Sequence, residues 1–296
     1  PASRSQDQVD GVGQGDELGD PSFISVGAAR LTENPRDLLL ARIAASVIEN
    51  SGYFKAGFSL QTGSGGAATA TTIFLGEKMI EKNIKASFAL GGVTGSIVDL
   101  LKKGMIEAIA DVQSFDVDAA QSLRDNPAHT EISANEYANP SSKGAYVDRI
   151  DTVLLSALEV DTDFNVNVLT GSDGVLRGAS GGHCDVAAAA NLTVIVTPLL
   201  RARMPCIVDC VNTVVTPGKT VDVVVTDHGI AVNPNNVDLK KRLVDARLPV
   251  TTIEELQKKA ILLAGKPDPI QYTDKVVAVV RYRDGSVMDI VRQVAS

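Results

Sequence analysis

Apolar positions recur along the chain with two different periods, and the way the periods alternate predicts a layered α/β fold. In "NPRDLLLARIAASVIENSG" the apolar residues fall at helical spacing, Asn34 stands where a cap belongs, Pro35 takes the first helical position and Gly52 lies past the end. A helix is predicted there. The pattern then changes to strand, glycine turn, helix: a strand at Phe58 to Leu60, a turn from Thr62 to Gly66, and a helix to about Lys82. A second unit follows, with a strand at Ala86 to Leu90, a turn holding Gly91, Gly92 and Gly95, a helix with Ile97, Leu100 and Leu101 on one face, and a strand at Ile106 to Val112. Repeated β-turn-α units require parallel strands, so the sheet should be covered on both faces.

Thr152 to Ala157 and the runs "LTVIVTPL", "CIVDCVNTVV" and "VDVVVTDHGIAV" are β-branched and bounded by Pro, Gly and Asp, and read as buried or half-buried strands. "NVDLKKRLVDA" and "TIEELQKKAILLAG" read as amphipathic helices, the second capped by Thr251 or Thr252, with Glu254 and Glu255 in its first turn and Gly265 as its stop. Near the C-terminus "KVVAVVRYRDGSVMDIVRQV" predicts two strands joined by Asp284-Gly285, a hairpin turn pair. The sum is one open, mostly parallel α/β sheet flanked by helices, with a mixed edge. Residues 1–20, rich in Gly, Asp, Gln and Ser, read as a linker or tail, and 21–296 as the domain.

One polar stretch interrupts the pattern. "DVQSFDVDAAQSLRDNPAHTEISANEYANPSSKG" reads as a long connection between strands, and connections of that length in compact domains are functional or disordered. It carries Asp116, Asp118, Arg124, His129, Glu131, Asn135, Glu136 and Asn139. Each alone fits a solvated loop; together they are candidates for substrate contact.

Composition narrows the function classes. A formal net charge of -8 offers no attractive field to nucleic acid or an anionic membrane, and no Trp with 4% aromatics leaves no stacking platform for bases. No apolar run reaches the roughly 18 to 20 residues that cross a bilayer, and no basic n-region precedes an apolar h-region, so a cytoplasmic protein is predicted. Three cysteines, Cys184, Cys206 and Cys210, are too few and wrongly spaced for a disulfide framework or a zinc site, and no metal is expected.

The turns at 62–66 and 91–95 invite comparison with phosphate loops, but neither has the Gly-Lys-Ser/Thr of a P-loop or the G-x-G-x-x-G of a dinucleotide fold. Two readings stay open: the glycines permit tight turns and nothing more, or several such turns form a crevice whose main-chain donors hold an anionic or carboxylate ligand. A third concentration lies in "VLTGSDGVLRGASGGHCDVAAAANLTVIV", where Gly171, Gly174, Gly178, Gly181 and Gly182 precede His183 and Asp185. His183 is either an imidazole bonded to a loop carbonyl or a site residue. No Ser or Cys nucleophile stands near it in a recognisable triad.

The last of these segments, read with "SLQTGSGGAATATTIFL", "ADVQSFDVDAAQSLRDNP" and "HTEISANEYANPSSKG", resembles the α subunit of citrate lyase, the citrate:acetyl-acyl-carrier-protein transferase subunit. The resemblance runs from about Leu18 to the C-terminus, has its motifs in the same order, and corresponds to the C-terminal half of such a subunit. It implies a CoA-transferase-like fold related to the sugar-phosphate isomerase type, with a second, N-terminal domain of the same subunit as a partner. The implied activity exchanges the acetyl group of an acetyl thioester for citrate, giving the citryl thioester and acetate. Implied partners are the acyl carrier protein and the lyase subunits. No cofactor is expected on this chain; it acts on the CoA-type prosthetic group of the carrier protein, for which CoA is an analogue. Citrate and citramalate are not distinguished.

In related CoA-transferases and hydrolases a glutamate at a strand end attacks the thioester. The matching position in "IKASFALGGVTG" is Phe88, and the strand has no carboxylate. The expectation is therefore direct attack by a citrate carboxylate, with oriented backbone N–H groups stabilising the oxyanions. The resemblance places Gly181, Gly182 and His183 at the reacting centre. Gly63, Ser64, Gly65 and Gly66, then Gly91 and Gly92, are expected to contact substrate, with Arg177 as the nearest cation, or as a brace for its own loop, and Glu136 from the polar stretch. An inactive half-domain and a thioester hydrolase are the competing readings.

Overall fold

The first helix starts where its sequence says it should. Asn34 Oδ1 accepts a hydrogen bond from Arg36 N at 3.0 Å, Pro35 occupies the first turn, and Ser51 N closes the far end on Ile48 O. The computed structural model describes residues 32–63 and 65–295; the expected linker at 1–20 and Ser64 lie outside the described residues. After α1 (Pro35–Asn50) come three β-turn-α units: β1 (Phe58–Thr62) with α2 (Gly66–Lys82), β2 (Ala86–Val93) with α3 (Gly95–Lys102), and β3 (Ile106–Ser114) with α4 (Val117–Asp125).

The third unit corrects the sequence reading. The stretch expected to be a long polar connection folds into α4, β4 (His129–Glu131) and α5 (Ala134–Ala138). Its polar residues serve the backbone: Asp116 caps α4 by accepting from Ala119 N at 2.8 Å, and Ser133 and Glu136 form a reciprocal capping box on α5. His129 is buried between Ser122 Oγ at 3.0 Å and Asp111 Oδ2 at 3.2 Å. Polarity in this region marks helix ends and one internal cluster.

The chain continues through β5 (Thr152–Ser156), β6 (Glu159–Asp161), β7 (Val166–Asn167), α6 (His183–Ala189) and β8 (Leu192–Val196). Three short strands follow, β9 (Leu200–Arg201), β10 (Met204–Pro205) and β11 (Ile207–Val208). Then come β12 (Val223–Thr226), β13 (Gly229–Val232), α7 (Val237–Asp245), β14 (Val250–Thr251), α8 (Ile253–Ala264), β15 (Tyr272–Arg281) and β16 (Val287–Val294). "CIVDCVNTVV" was expected to be one strand, but only Ile207–Val208 pairs, with β6. Beyond it Val211 N and Val214 N donate to the carboxylates of Asp161 and Asp289, so the backbone leaves the ladder.

Among the described residues the main sheet has nine strands in the order β14-β13-β12-β8-β5-β1-β2-β3-β4. Every pairing is parallel except β12 with β13, the mixed edge expected. Neighbouring residues on the inner strands serve opposite cores: Leu154 and Val194 pack with α1, α2, α3 and α7, while Leu155 and Ile195 pack with α5, α6 and α8. That double burial explains the unbroken apolar runs. The β15–β16 hairpin turns at Asp284 and Gly285 as predicted, and forms a separate two-stranded ribbon. No helix among the described residues is long and apolar enough to cross a membrane.

Candidate active site

The strand order reverses between β1 and β5: β2, β3 and β4 are added on one side of β1, and β8 and β12 on the far side of β5. In open α/β sheets such a switch point opens a crevice at the carboxyl ends of the two strands. Gln61 and Thr62 end β1, and Ser156 ends β5. The glycine stretches are arranged around these ends.

The first turn leaves β1 with Gly63 N donating to Leu154 O at 3.1 Å and enters α2 with Gly65 as a cap that offers no side chain. Among the described residues a Cβ on Gly65 would find only Ser156 Oγ, at 3.8 Å. The second glycine stretch is filled by the protein, and β2 runs past the expected end at Leu90, so that Gly91 and Gly92 pair with β3 as strand residues. A Cβ on Gly91, whose φ is +102°, would stand 2.7 Å from Gln61 Cδ, and one on Gly92 would overlap the Phe115 ring. Gly95 N already donates to Asp116 Oδ2 at 2.7 Å, so a carboxylate of the chain occupies the start of α3.

The third stretch meets the first through aromatic and amide side chains. Gln61 Nε2 donates to Tyr137 Oη at 2.9 Å, and the Tyr137 ring lies so close to Gly182 that a Cβ there would be 2.6 Å from Cε1. Burial pushes the Tyr137 hydroxyl up to about 12, so it stays a phenol. Gly181, at φ +49°, has open space around it. The amides of Gly181 and Gly182 have no hydrogen-bond acceptor among the described residues.

His183 binds this loop to the strand. Its Nε2 lies 3.1 Å from Ser156 O, which can only accept, so Nε2 carries the proton and Nδ1 accepts from Thr216 Oγ1 at 2.6 Å. Burial lowers its pKa to about 4. The ring is neutral with both nitrogens occupied, which makes it a brace holding Gly181 and Gly182 over the end of β5 and leaves no free atom for proton transfer. Two other expected contacts are also committed elsewhere: Glu136 is exposed in its capping box, and Arg177 forms a fork with Asp173 at 2.7 Å on each arm, holding that carboxylate down to about 2. Phe88 stands edge-on to Tyr146, ring centroids 6.1 Å apart.

Sequence reasoning missed Gln61, Tyr137 and Ser156. It also missed Arg283, from the tip of the β15–β16 ribbon, whose Nε is 3.8 Å from Asp185 Oδ1 in the first turn of α6. Gln61 had a usable signal, the polar residue between a strand and a glycine turn; Arg283 had none within its own segment. Apart from the turns, a cavity of about 270 Å³ is walled by Pro205, Ile207, Ile261, Pro267 and Ile270, with Glu159 at one side.

The family model for the citrate lyase alpha subunit (CitF) matches residues 1–294. The chain belongs to the citrate lyase alpha subunit family. It is 64% identical over 294 residues to the citrate lyase alpha chain of Klebsiella pneumoniae, a match covering 99% of this chain and 58% of that relative. The solved α subunit of citrate lyase from Streptococcus mutans, determined in complex with citrate, superposes with a TM-score of 0.91 at 56% identity, covering 95% of this chain and 55% of that one. The chain thus spans little more than half the length of these relatives. A Pseudomonas malonate decarboxylase hetero-tetramer matches at a TM-score of 0.56 with 12% identity over 82% of this chain, a similarity of fold alone. The expected CoA-transferase-like α/β class is therefore the observed one.

Proposed function

We propose that the chain is the part of a citrate lyase α subunit that carries its acyl-transfer loop, and that the intact subunit converts an acetyl thioester and citrate to a citryl thioester and acetate. The observation that carries this reading is that the end of β1 and the loop holding Gly182 are joined through Gln61 and Tyr137 at the switch point of the sheet, in a chain of this family. A citrate carboxylate oxygen attacks the acetyl carbonyl, and the thiolate leaves a mixed acetyl-citryl anhydride. The thiolate then attacks the citryl carbonyl of the anhydride, and acetate departs. Each addition places a full negative charge on a carbonyl oxygen, and the unpaired Gly181 and Gly182 amides are suited to receive it. Phe88 supplies no carboxylate for a glutamyl intermediate, so the anhydride forms on substrate.

In this reading His183 positions the amide loop, and the Gly63 to Gly66 turn holds a substrate carboxylate or part of the prosthetic arm. The arm belongs to the acyl carrier protein, which with the lyase subunits and the remaining domain of the same subunit completes the set of partners. The test is acetate release by the intact subunit from acetyl-CoA, with and without citrate, followed by borohydride or hydroxylamine trapping and mass spectrometry. Citrate-dependent acetate with unmodified protein is expected; an adduct on any Asp or Glu overturns direct attack, and acetate released without citrate points to a hydrolase.

A second reading rests on the share of the relatives the chain spans, 58% and 55%. CoA-transferase sites that form between two domains would leave this chain alone a folded, inactive half. Turnover by the isolated chain would end that reading.

A further inference from the structure

Arg283 sits in the turn between β15 and β16, which Asp284 fixes by accepting from Ser286 N at 2.9 Å and Ser286 Oγ at 2.6 Å. Its side chain is only 15% exposed. A guanidinium has five N–H donors, and here they are almost unused. Nη2 makes one long bond, 3.4 Å, to Ala138 O; Nε is buried with no partner among the described residues; and Asp185 Oδ1 stands 3.8 Å off, outside hydrogen-bond range. Leaving donors of a buried charge unsatisfied is unfavourable, so this arrangement points to a group that completes it.

The place of that group is set by the neighbours. Ala138 follows Tyr137, whose ring lies against Gly182, and Asp185 belongs to the helix that Gly182 begins. Arg283 therefore approaches the same loop that carries the unpaired amides, from an element distant in sequence. The other cation near this loop, Arg177, is exposed and already holds Asp173 with both arms. Asp185 keeps the guanidinium in place through charge without using up its donors. Burial raises the Asp185 pKa, and the Arg283 charge works against that rise.

We infer that Arg283 is the residue that recognises a carboxylate of the acyl-accepting substrate, taking it as a two-point fork beside the Gly181–Gly182 loop. A planar donor pair matches a carboxylate in a way that a lysine cannot. The inference rests on the transferase reading for the identity of that substrate as citrate; the guanidinium itself specifies an oxyanion. Phosphates of the CoA arm share the oxyanion chemistry and are separated by the test.

The experiment uses the intact subunit and its Arg283→Gln and Arg283→Lys variants, with citrate and acetyl-CoA varied separately and tricarballylate binding followed by calorimetry. For Arg283→Gln the citrate KM is expected to rise about 30-fold, as for loss of a charged hydrogen-bond pair, with kcat within about threefold and the acetyl-CoA KM unchanged. Arg283→Lys should give a smaller rise in citrate KM, about 5- to 10-fold; it decides the matter if the Gln variant does not fold. A citrate KM within twofold of the parent in a folded variant overturns the inference while leaving the transferase reading intact. A rise confined to the acetyl-CoA KM assigns Arg283 to a phosphate and also overturns it. Tricarballylate binding that depends on Arg283, in a protein without citrate turnover, would sustain the inference and sink the transferase reading. No binding of either polycarboxylate by the parent overturns both.

Discussion

The glycine stretches at the carboxyl ends of β1 and β2 are alike in sequence, each leading into a helix, yet they end in opposite conditions. At the end of β2, the Phe115 ring fills the space beside Gly92 and Gln61 covers Gly91, and just beyond it Asp116 takes the Gly95 amide. After β1, among the described residues Gly65 has nothing within van der Waals contact of its missing side chain except Ser156 Oγ at 3.8 Å, and Gly65 gives α2 no side-chain cap. A glycine turn at a helix start is thus no site in itself. What matters is whether the chain supplies the anion and the bulk that the turn can accept.

The strongest way to break this comparison is to place a methyl group in each stretch. Gly92→Ala should cost about 3 kcal/mol, at the upper end of overpacking, because Phe115 must leave its place; urea unfolding of the variant measures it. Gly65→Ala, at a φ of -69° with space around it, should unfold like the parent to within about 0.5 kcal/mol while slowing citrate-dependent acetate release. Equal stability loss in both would mean the stretches are not different after all.

Next in size is the acid response of the His183 brace. Its folded pKa of about 4 lies below the unfolded value of about 6.5, so the unfolded chain takes up the proton more readily. The stability it contributes is complete above about pH 6.5 and is lost as pH falls toward 4, by about 3 kcal/mol at most. Denaturation curves across that range should show a slope that His183→Gln flattens. An unchanged slope in the variant would remove His183 as its source. Smaller again, Asp116→Ala frees the Gly95 and Ala119 amides and should cost about 1 to 2 kcal/mol, the loss of a helix cap. It turns the closed helix start into an open one, and thermal unfolding should shift downward without loss of turnover. Arg177→Ala should do least: an exposed ion pair is removed, and neither melting temperature nor citrate KM should move beyond error.

Much of this architecture could be read from local pattern. The cap at Asn34, the stop near Gly52, the first two β-turn-α units and the Asp284-Gly285 hairpin depend on residues a few positions apart, and all are present. The segment at 111–144 failed because Asp116, Ser133 and Glu136 are polar for the sake of helix ends, a use that looks the same as loop polarity when the helices are short. The three glycine stretches were visible, and two of them are joined in space through Gln61 and Tyr137. Arg283 could not have been found this way, since nothing in its own hairpin says that Asp185 and Ala138 lie beside it. Residues fixed by tertiary approach leave no mark on periodicity.

The position of β5 beside β1 also governs how the chain must be made. During synthesis β1 gains β2 on one edge soon after it emerges, but its other edge waits for Thr152–Ser156, about ninety residues later. At roughly 5 to 20 residues per second that edge stays bare for roughly 5 to 20 s. It is a row of free N–H and C=O groups, ready to pair with a neighbouring nascent chain. Yield on expression will therefore turn on the speed of translation and on holdase chaperones before it turns on the stability of the finished fold.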